Sequence, residues 1–535
     1  MKKNLKYYIL FAILVGAAFL RIYKLDQIPP SLNWDEVDAG YNAYTIANWG
    51  VDEWGHKFPL VFQSFYDDKH PVHIYIDAVF VKFIGPSDFS TRFPSAVFGV
   101  LGVAVIFFLA KSLFKKDLPA YLAAIFLAIS PYHLQFSRGL WEVNFAFFFF
   151  IFGLLFFYLG KEKNHWYFPL AFLGFGLSLY SYQSSIVVVP PMIILLCILY
   201  FKDLIKNKKA LIVSGLILGF FILGFALNPK LLGFARAQQT MFGEDMIKAT
   251  SLFKKTGNKY LGIAQIAASN YPKYFSVDYL FLSGDQNPRN SVKFFGEFYQ
   301  IDALLLLMGI LAMLIKPRKE WLVLLGWIAL APIPGTLAGT TPNAARGLFI
   351  MGSEQLIAAY GLYSIVNLFK NKMFQGALVI AAFVPMLWEF SSYLNYYYTK
   401  YAKKDAIEWQ YGMKQIATYI KDHPEYERVY MTKDRQQPYI FILNYLHYPV
   451  QDYLRTVVYD ESQSKSYNVA QSFGIFQFSG WDPINSQPLP FVLYVLTPSQ
   501  YDGLMYRSSF DIKDLIKYPD GSDAYFLVSA HESEW

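Results

Sequence analysis

Apolar stretches long enough to cross a bilayer alternate with short Lys- and Arg-bearing connections, and this alternation constrains the fold more than any other feature. A helical span needs roughly 20 mostly apolar residues. Candidate spans lie near residues 7–25, 94–113, 119–136, 142–160, 166–183, 186–201, 210–227, 301–315, 321–334, 347–367 and 373–392. Cationic residues mark cytoplasmic connections. Here they keep to one side throughout: Lys2, Lys3 and Lys6, then Lys111, Lys115 and Lys116, then Lys161 and Lys163. The same side continues with Lys202, Lys206, Lys208 and Lys209, with Lys316, Arg318 and Lys319, and with Lys370 and Lys372. The other side receives loop 26–93, the Ser137-Arg138-Gly139 connection, loop 228–300, the 335–346 connection and the C-terminal tail. The expected fold is an all-α polytopic protein of the plasma (inner) membrane with about eleven transmembrane helices and a cytoplasmic N-terminus.

Composition agrees. Charged residues make up 16% of the 535 and apolar residues 55%, where a soluble domain carries about 25% charged residues. The net charge of +7 is dispersed in clusters between apolar runs, which argues against a nucleic-acid partner. Cys197, the single cysteine, sits in an apolar run and forms no intramolecular disulfide. No small-residue cleavage site follows the first apolar run, so it reads as a retained span rather than a signal peptide.

The long outer loop has structure of its own. Residues 34–49 are helix-compatible, and 73–84 are apolar but too short to span, which predicts interfacial or re-entrant helices. Beyond about residue 400 the composition turns polar. Residues 428–432 and 491–496 read as buried strands and 405–421 as an amphipathic helix. The expected division is a membrane domain over 1–400, its loop 26–93 carrying the chemistry, and a small extracytoplasmic α/β domain over 401–535.

Loop 26–93 is rich in carboxylates, and a solvated acidic loop accounts for most of them. Two places stand out. Asn33-Trp34-Asp35-Glu36 sits between the first span and a helical run, at a helix N-terminus that favours negative charge. Asp67-Asp68-Lys69-His70-Pro71 precedes the short apolar segment, again at interface depth, where ionisable groups are functional candidates. Arg92, Arg138 and Arg346 each lie at an outer helix end. They are either snorkelling helix caps or, with Lys69, a positive pocket for a phosphate. The residues alone leave both readings open. His70 and His73 with Asp67 and Asp68 match no established metal-ligand spacing, so no metal is assigned. No phosphate-binding or dinucleotide loop occurs, so no cofactor is expected.

Trp34-Asp35-Glu36 followed by Gly40-Tyr41-Asn42-Ala43-Tyr44, Asp68-Lys69-His70-Pro71, and Arg92-Phe93-Pro94-Ser95-Ala96 together resemble bacterial members of the protein-mannosyltransferase-like superfamily. Ser137-Arg138 with Glu142 and Asn144 fits the same resemblance, which covers roughly residues 1–400. These are multi-pass glycosyltransferases of the GT-C class that use a polyprenyl-phosphate-linked sugar; protein O-mannosyltransferases and the aminoarabinose transferase of lipid A are of this kind. The resemblance implies that Asp35 is the general base and Glu36 its active-site neighbour. Asp68, Lys69 and His70 fall in the motif that meets the donor, with Lys69 as the phosphate-binding lysine and His70 intervening before Pro71. Arg138 is a second phosphate ligand, and Arg92, Glu142 and Arg346 are further substrate-binding candidates.

The implied chemistry is a single displacement with inversion. A phosphate is a good leaving group, whereas an acceptor hydroxyl needs a carboxylate to take its proton, and fixed cations stabilise the departing phosphate. The acceptor is a glycan, a lipid or a protein. Two other classes remain: a lipid-linked sugar transporter or flippase, which needs midplane charges and a path through the bundle, and a non-catalytic envelope-assembly protein whose acids are merely solvated.

Overall fold

The computed structural model describes residues 2–65, 67–233, 241–435, 437–460, 469–479, 484 and 489–531, with side chains from residue 6 onward. Every apolar stretch singled out above is helical. In chain order, α1 (Lys2–Ile22) leads to α2 (Trp34–Trp49), strands β1 (Phe62–Ser64) and β2 (Asp67–Lys69), α3 (Val72–Ile84) and the long α4 (Asp88–Phe114). Then come α5 (Asp117–Ile129), α6 (Pro131–Ser137), α7 (Glu142–Glu162), α8 (Tyr167–Leu179), α9 (Ser184–Leu204) and α10 (Lys208–Leu227). Four further apolar helices are Gln300–Ile315, Lys319–Leu330, Ser353–Val366 and Lys372–Tyr396.

Among the described residues, five helices are long and apolar enough to cross a membrane: Asp88–Phe114, Glu142–Glu162, Ser184–Leu204, Lys208–Leu227 and Lys372–Lys404. A sixth joins them if Ala344–Ile350 and Ser353–Val366, bent by 42°, form one broken span. The chain is a multi-pass membrane protein.

It divides into two compact units. One comprises Met1–Tyr23 and Ser95–Tyr396, the other Lys24–Pro94 and Tyr397–Trp535. In the first, helices approach closely where side chains are small. A Cβ on Gly309 would meet the Ile357 carbonyl at 2.2 Å, and one on Gly361 would meet that of Leu305 at 2.1 Å. These glycines bring helices Gln300–Ile315 and Ser353–Val366 into backbone contact, the small-residue packing favoured where lipid removes the hydrophobic drive between helices. The last turn of α1 is closed by arginine. Buried Arg138 donates to the carbonyls of Leu20 at 2.7 Å and Tyr23 at 2.9 Å, acceptors that a helix C-terminus leaves without intrahelical donors.

The second unit joins the long loop to the tail through a shared core. Leu32, Val37 and Tyr41 are buried among Met413, Ile416, Phe441, Val429 and Leu493. The tail builds a seven-stranded mixed sheet of order β4-β5-β6-β3-β7-β9-β8. Its strands are β3 (Arg428–Met431), β4 (Val458–Tyr459), β5 (Ala470–Phe473), β6 (Phe476–Gln477), β7 (Val492–Leu496), β8 (Phe510–Lys517) and β9 (Asp523–Ala530). The two predicted buried strands are β3 and β7, which pair in parallel near the middle. The amphipathic segment forms helix Met413–Asp422, with Met413, Ile416, Ala417 and Ile420 buried. Contacts thus group residues 24–94 with the tail, whereas composition divides the chain near residue 400; burial of α2 against helix Pro438–Tyr445 is a long-range effect that composition does not register.

Candidate active site

The site begins at the N-terminus of α2. The Asn33 side chain accepts from the backbone N–H of Asp35 at 2.8 Å and of Glu36 at 3.2 Å, while Glu36 Oε2 accepts from the Asn33 N–H at 3.0 Å. This reciprocal capping box satisfies donors that the first turn would otherwise leave open. Gly50 ends the helix with φ of 69° and its N–H on the Ile46 carbonyl, the left-handed cap that glycine adopts without a Cβ penalty. Gly40 has a separate task. A Cβ there would meet Thr91 Oγ1 at 2.9 Å and Asn444 Oδ1 at 3.5 Å, so only glycine allows the close approach.

The capping geometry separates two adjacent acids. Glu36 is fully buried and spent: the guanidinium of Arg92 grips it with Nε at 2.9 Å and Nη2 at 3.0 Å. Arg92, equally buried, also donates to the carbonyls of Leu25 and Pro29 at 3.1 and 2.9 Å and to that of Ser31. The pair is a bidentate, charge-assisted clamp that holds residues 25–36 in place. Asp35, one residue earlier, keeps 37% of its side chain exposed.

Lys69 closes the site. Strands β1 and β2 pair antiparallel, with Phe62 opposite Lys69 and Gln63 opposite Asp68, and Pro71 then opens α3. The lysine side chain is 3% exposed, and its Nζ lies 2.9 Å from Asp35 Oδ1 and 3.3 Å from Asp38 Oδ2. Asp35 and Asp38 stand three residues apart on one helical face, so a single ammonium bridges them. Asp68 and His70, on either side of Lys69, are buried. His73, in the first turn of α3, is pushed well below the usual imidazole range by burial and by the charges of Lys69 and His70.

Behind Lys69 lie two acids that the sequence did not single out. Asp38 has no exposed surface, and burial pushes it up to about 6 despite the opposing charge of Lys69. Glu53 is also buried and raised well above the usual carboxylate range, by burial first and then by Asp38 and Asp52. Asn42 links the two, donating to Asp38 Oδ1 at 3.3 Å and accepting from the Glu53 N–H at 2.9 Å. Tyr439 hydroxyl faces Glu53 Oε1 at 3.4 Å. Desolvation penalises the charged form of both acids, so each holds its proton to a higher pH than an exposed carboxyl does. Their one sequence signal is position, since Asp38 lies one turn after Asp35. Asp52, by contrast, builds a turn, accepting from the N–H groups of Trp54 and His56. Asp77 in α3 is also buried and is raised well above its ordinary value by burial and then by Glu36.

The remaining predicted residues belong to the other compact unit. Arg138 is buried and clamps the end of α1, and Glu142 stands in the first turn of α7. Arg346 lies in the short helix Ala344–Gly347, with its Nη1 buried and without a hydrogen-bond partner among the described residues. Tyr274 and Asp285 interact with it electrostatically. Among the described residues no group of three or more His, Cys, Asp or Glu is placed to hold a metal ion.

Residues 68–225 match the model of the dolichyl-phosphate-mannose-protein mannosyltransferase family. No curated protein matches the chain by sequence. Among solved structures, ArnT from Cupriavidus metallidurans bound to undecaprenyl phosphate aligns with a TM-score of 0.59 at 13% identity, covering 98% of this chain and 98% of that one. The archaeal oligosaccharyltransferase AglB from Archaeoglobus fulgidus, in complex with an inhibitory peptide and a dolichol-phosphate, aligns with a TM-score of 0.53 at 14% identity, covering 100% of this chain and 75% of that one. Residues 68–225 are thus similar to that mannosyltransferase family, and the chain as a whole shares the fold of ArnT and of the archaeal oligosaccharyltransferase.

Proposed function

We propose that this protein is a glycosyltransferase that moves a sugar from a polyprenyl-phosphate carrier to an acceptor hydroxyl on the extracytoplasmic face of the plasma membrane. The observation that carries the reading is the ion pair between the partly exposed Asp35 and the buried Lys69. It sets a base and a phosphate-binding cation within one hydrogen bond of each other, in a fold shared with a protein solved with undecaprenyl phosphate. The lysine-rich connections support about eleven spans with the N-terminus in the cytoplasm. Residues 1–400 then form the membrane domain with its active-site loop, and residues 401–535 the outer domain.

The donor phosphate approaches Lys69, which carries three donors and is anchored from behind by Asp38. As the ammonium turns part of its hydrogen bonding to the phosphate, Asp35 is relieved of its partner and becomes the stronger base. Asp35 takes the proton of the acceptor hydroxyl while the acceptor oxygen bonds to the anomeric carbon. The bond from that carbon to the phosphate oxygen breaks, the electron pair leaves with the polyprenyl phosphate, and configuration inverts. Lys69 offsets the charge that gathers on the leaving group. Arg138 and Arg346 are secondary phosphate candidates. The clamp of Arg92 on Glu36 favours a role for both in holding the loop that presents Asp35.

The test is a transferase assay with synthetic polyprenyl-phosphate sugars and cell-envelope acceptors, read by mass spectrometry of the product. Sugar transfer with inversion supports the reading. Movement of labelled lipid-linked sugar across proteoliposomes without any transfer product would replace it with transport.

A further inference from the structure

A cavity of about 670 Å³ lies between the N-terminal ends of α1 and α5 and the C-terminal ends of α4 and α7. These helix ends carry the lysine-rich face of the membrane domain. On α1 and α4 they are the ends remote along the helix from residues 24–94. None of the residues that line the cavity belongs to the Asp35 and Lys69 cluster.

Its lining has two parts. Four lysines, Lys6, Lys111, Lys115 and Lys163, stand at the rim. Most of the remaining lining is apolar, with Leu10, Phe107 and Leu155 buried and Phe108, Phe156 and Leu159 more open. The rim holds more positive charge than it neutralises. Asp117 accepts from Lys111 at 2.9 Å and also pairs with Lys6, and Glu162 pairs with Lys115. Lys163 has no carboxylate partner among the described residues. Four cations against these two carboxylates leave two positive charges. The paired lysines are about half exposed, at 53%, 47% and 54%, whereas Asp117 and Glu162 are 30% and 21% exposed. The ammonium groups thus keep donors directed outward, because each carries three and a carboxylate uses one or two.

We propose that this cavity binds an anionic phospholipid, its phosphate held by Lys6, Lys111, Lys115 and Lys163 and its upper acyl chain lying on Phe107, Phe108 and Phe156. Two observations favour a lipid over a free anion. The lysines ring a wall of aromatic and aliphatic side chains that a hydrophilic anion leaves uncovered. The site also lies at the ends of two helices long and apolar enough to cross a membrane, Asp88–Phe114 and Glu142–Glu162, and the end of such a span meets the head groups. Basic pockets between helix ends on this face are recognised physical sites for acidic head groups.

The test uses the full chain in detergent, with intrinsic tryptophan fluorescence for thermal stability and native mass spectrometry for retained lipid. Phosphatidylglycerol should raise the melting temperature and remain bound, while phosphatidylcholine should do neither. Lys163→Gln should weaken phosphatidylglycerol binding about fivefold, and Lys111→Gln/Lys163→Gln roughly 30-fold, on the scale of one lysine at an anionic membrane surface. The double variant leaves Asp117 paired with Lys6, so the fold is spared. Lys111→Arg/Lys163→Arg should restore binding. Equal binding of the two lipids, or unchanged phosphatidylglycerol affinity in the double variant, overturns the proposal. So does an equal stabilisation by inorganic phosphate alone, which would make this a site for a soluble anion.

Discussion

Lys69 Nζ lies 2.9 Å from Asp35 Oδ1 and 3.3 Å from Asp38 Oδ2, so one buried ammonium is shared between a carboxylate that reaches solvent and one that does not. The exposed partner can be exchanged for a substrate anion, and the buried one cannot leave. That asymmetry gives each of the three residues a distinguishable phenotype.

Asp35→Asn keeps the side-chain shape and removes the proton acceptor. Turnover should fall by about 10²–10⁴-fold, the usual scale of general-base catalysis, with donor binding retained. The capping box rests on Asn33 and Glu36, so the thermal melt should hardly move. A variant that turns over at the wild-type rate would remove Asp35 from the mechanism.

Lys69→Ala should weaken donor binding by about 10–100-fold, the value of a hydrogen bond to a charged group. Lys69→Arg should lose less, because the charge remains although the guanidinium is a poor fit for a site shaped to an ammonium. Titration of the purified variants with a polyprenyl-phosphate sugar measures both. Equal affinities for wild type and Lys69→Ala would make Lys69 a structural cation only.

Asp38 predicts a pH dependence. Its value in the folded protein, about 6, lies above the ordinary 3.8, so the native state binds this proton more tightly than the unfolded chain does. The stability it contributes is therefore full below about 4 and declines as pH rises towards 6. Activity should run the other way. Once Asp38 is protonated, Lys69 has Asp35 as its remaining close carboxylate and holds it more firmly, so kcat/KM should drop as pH falls through about 6. In Asp38→Asn that step should vanish and activity should stay low between pH 5 and 7. An unaltered pH profile in this variant would show that Asp38 does not tune the pair.

The Glu36 and Arg92 clamp predicts loss of stability rather than of chemistry. Either Glu36→Gln or Arg92→Ala leaves a buried charge without its partner, at a cost of about 3–5 kcal/mol. Both variants should melt at a markedly lower temperature, and Arg92→Lys should rescue little because it cannot bond bidentately. A normal melt with weakened donor binding would instead place Arg92 on the substrate.

The lysine alternation predicts that a reporter fused after Trp535 is active outside the cytoplasm. Activity confined to the cytoplasm would invert the proposed sidedness and move the Asp35 site to the other face.

What the sequence determined by itself is local. Each long apolar stretch became a helix because hydropathy and helix propensity act over a few turns, and Asn33-Trp34-Asp35-Glu36 marked the start of α2 because acids favour a helix N-terminus. The buried strands at 428–432 and 491–496 were legible for the same reason, as short apolar runs between polar flanks. Only the tertiary structure decided which acid is available and what it faces. Asp35 and Glu36 are neighbours of like chemistry, yet Arg92, 56 residues further on from Glu36, buries one of them. Lys69, 34 residues from Asp35, reaches the other by way of the β1–β2 hairpin. Asp38 and Glu53 gained their unusual character from burial, and the grouping of residues 24–94 with the tail came from the core that α2 shares with helix Pro438–Tyr445. Burial and pairing across such separations depend on how the whole chain packs, and no window of sequence contains them.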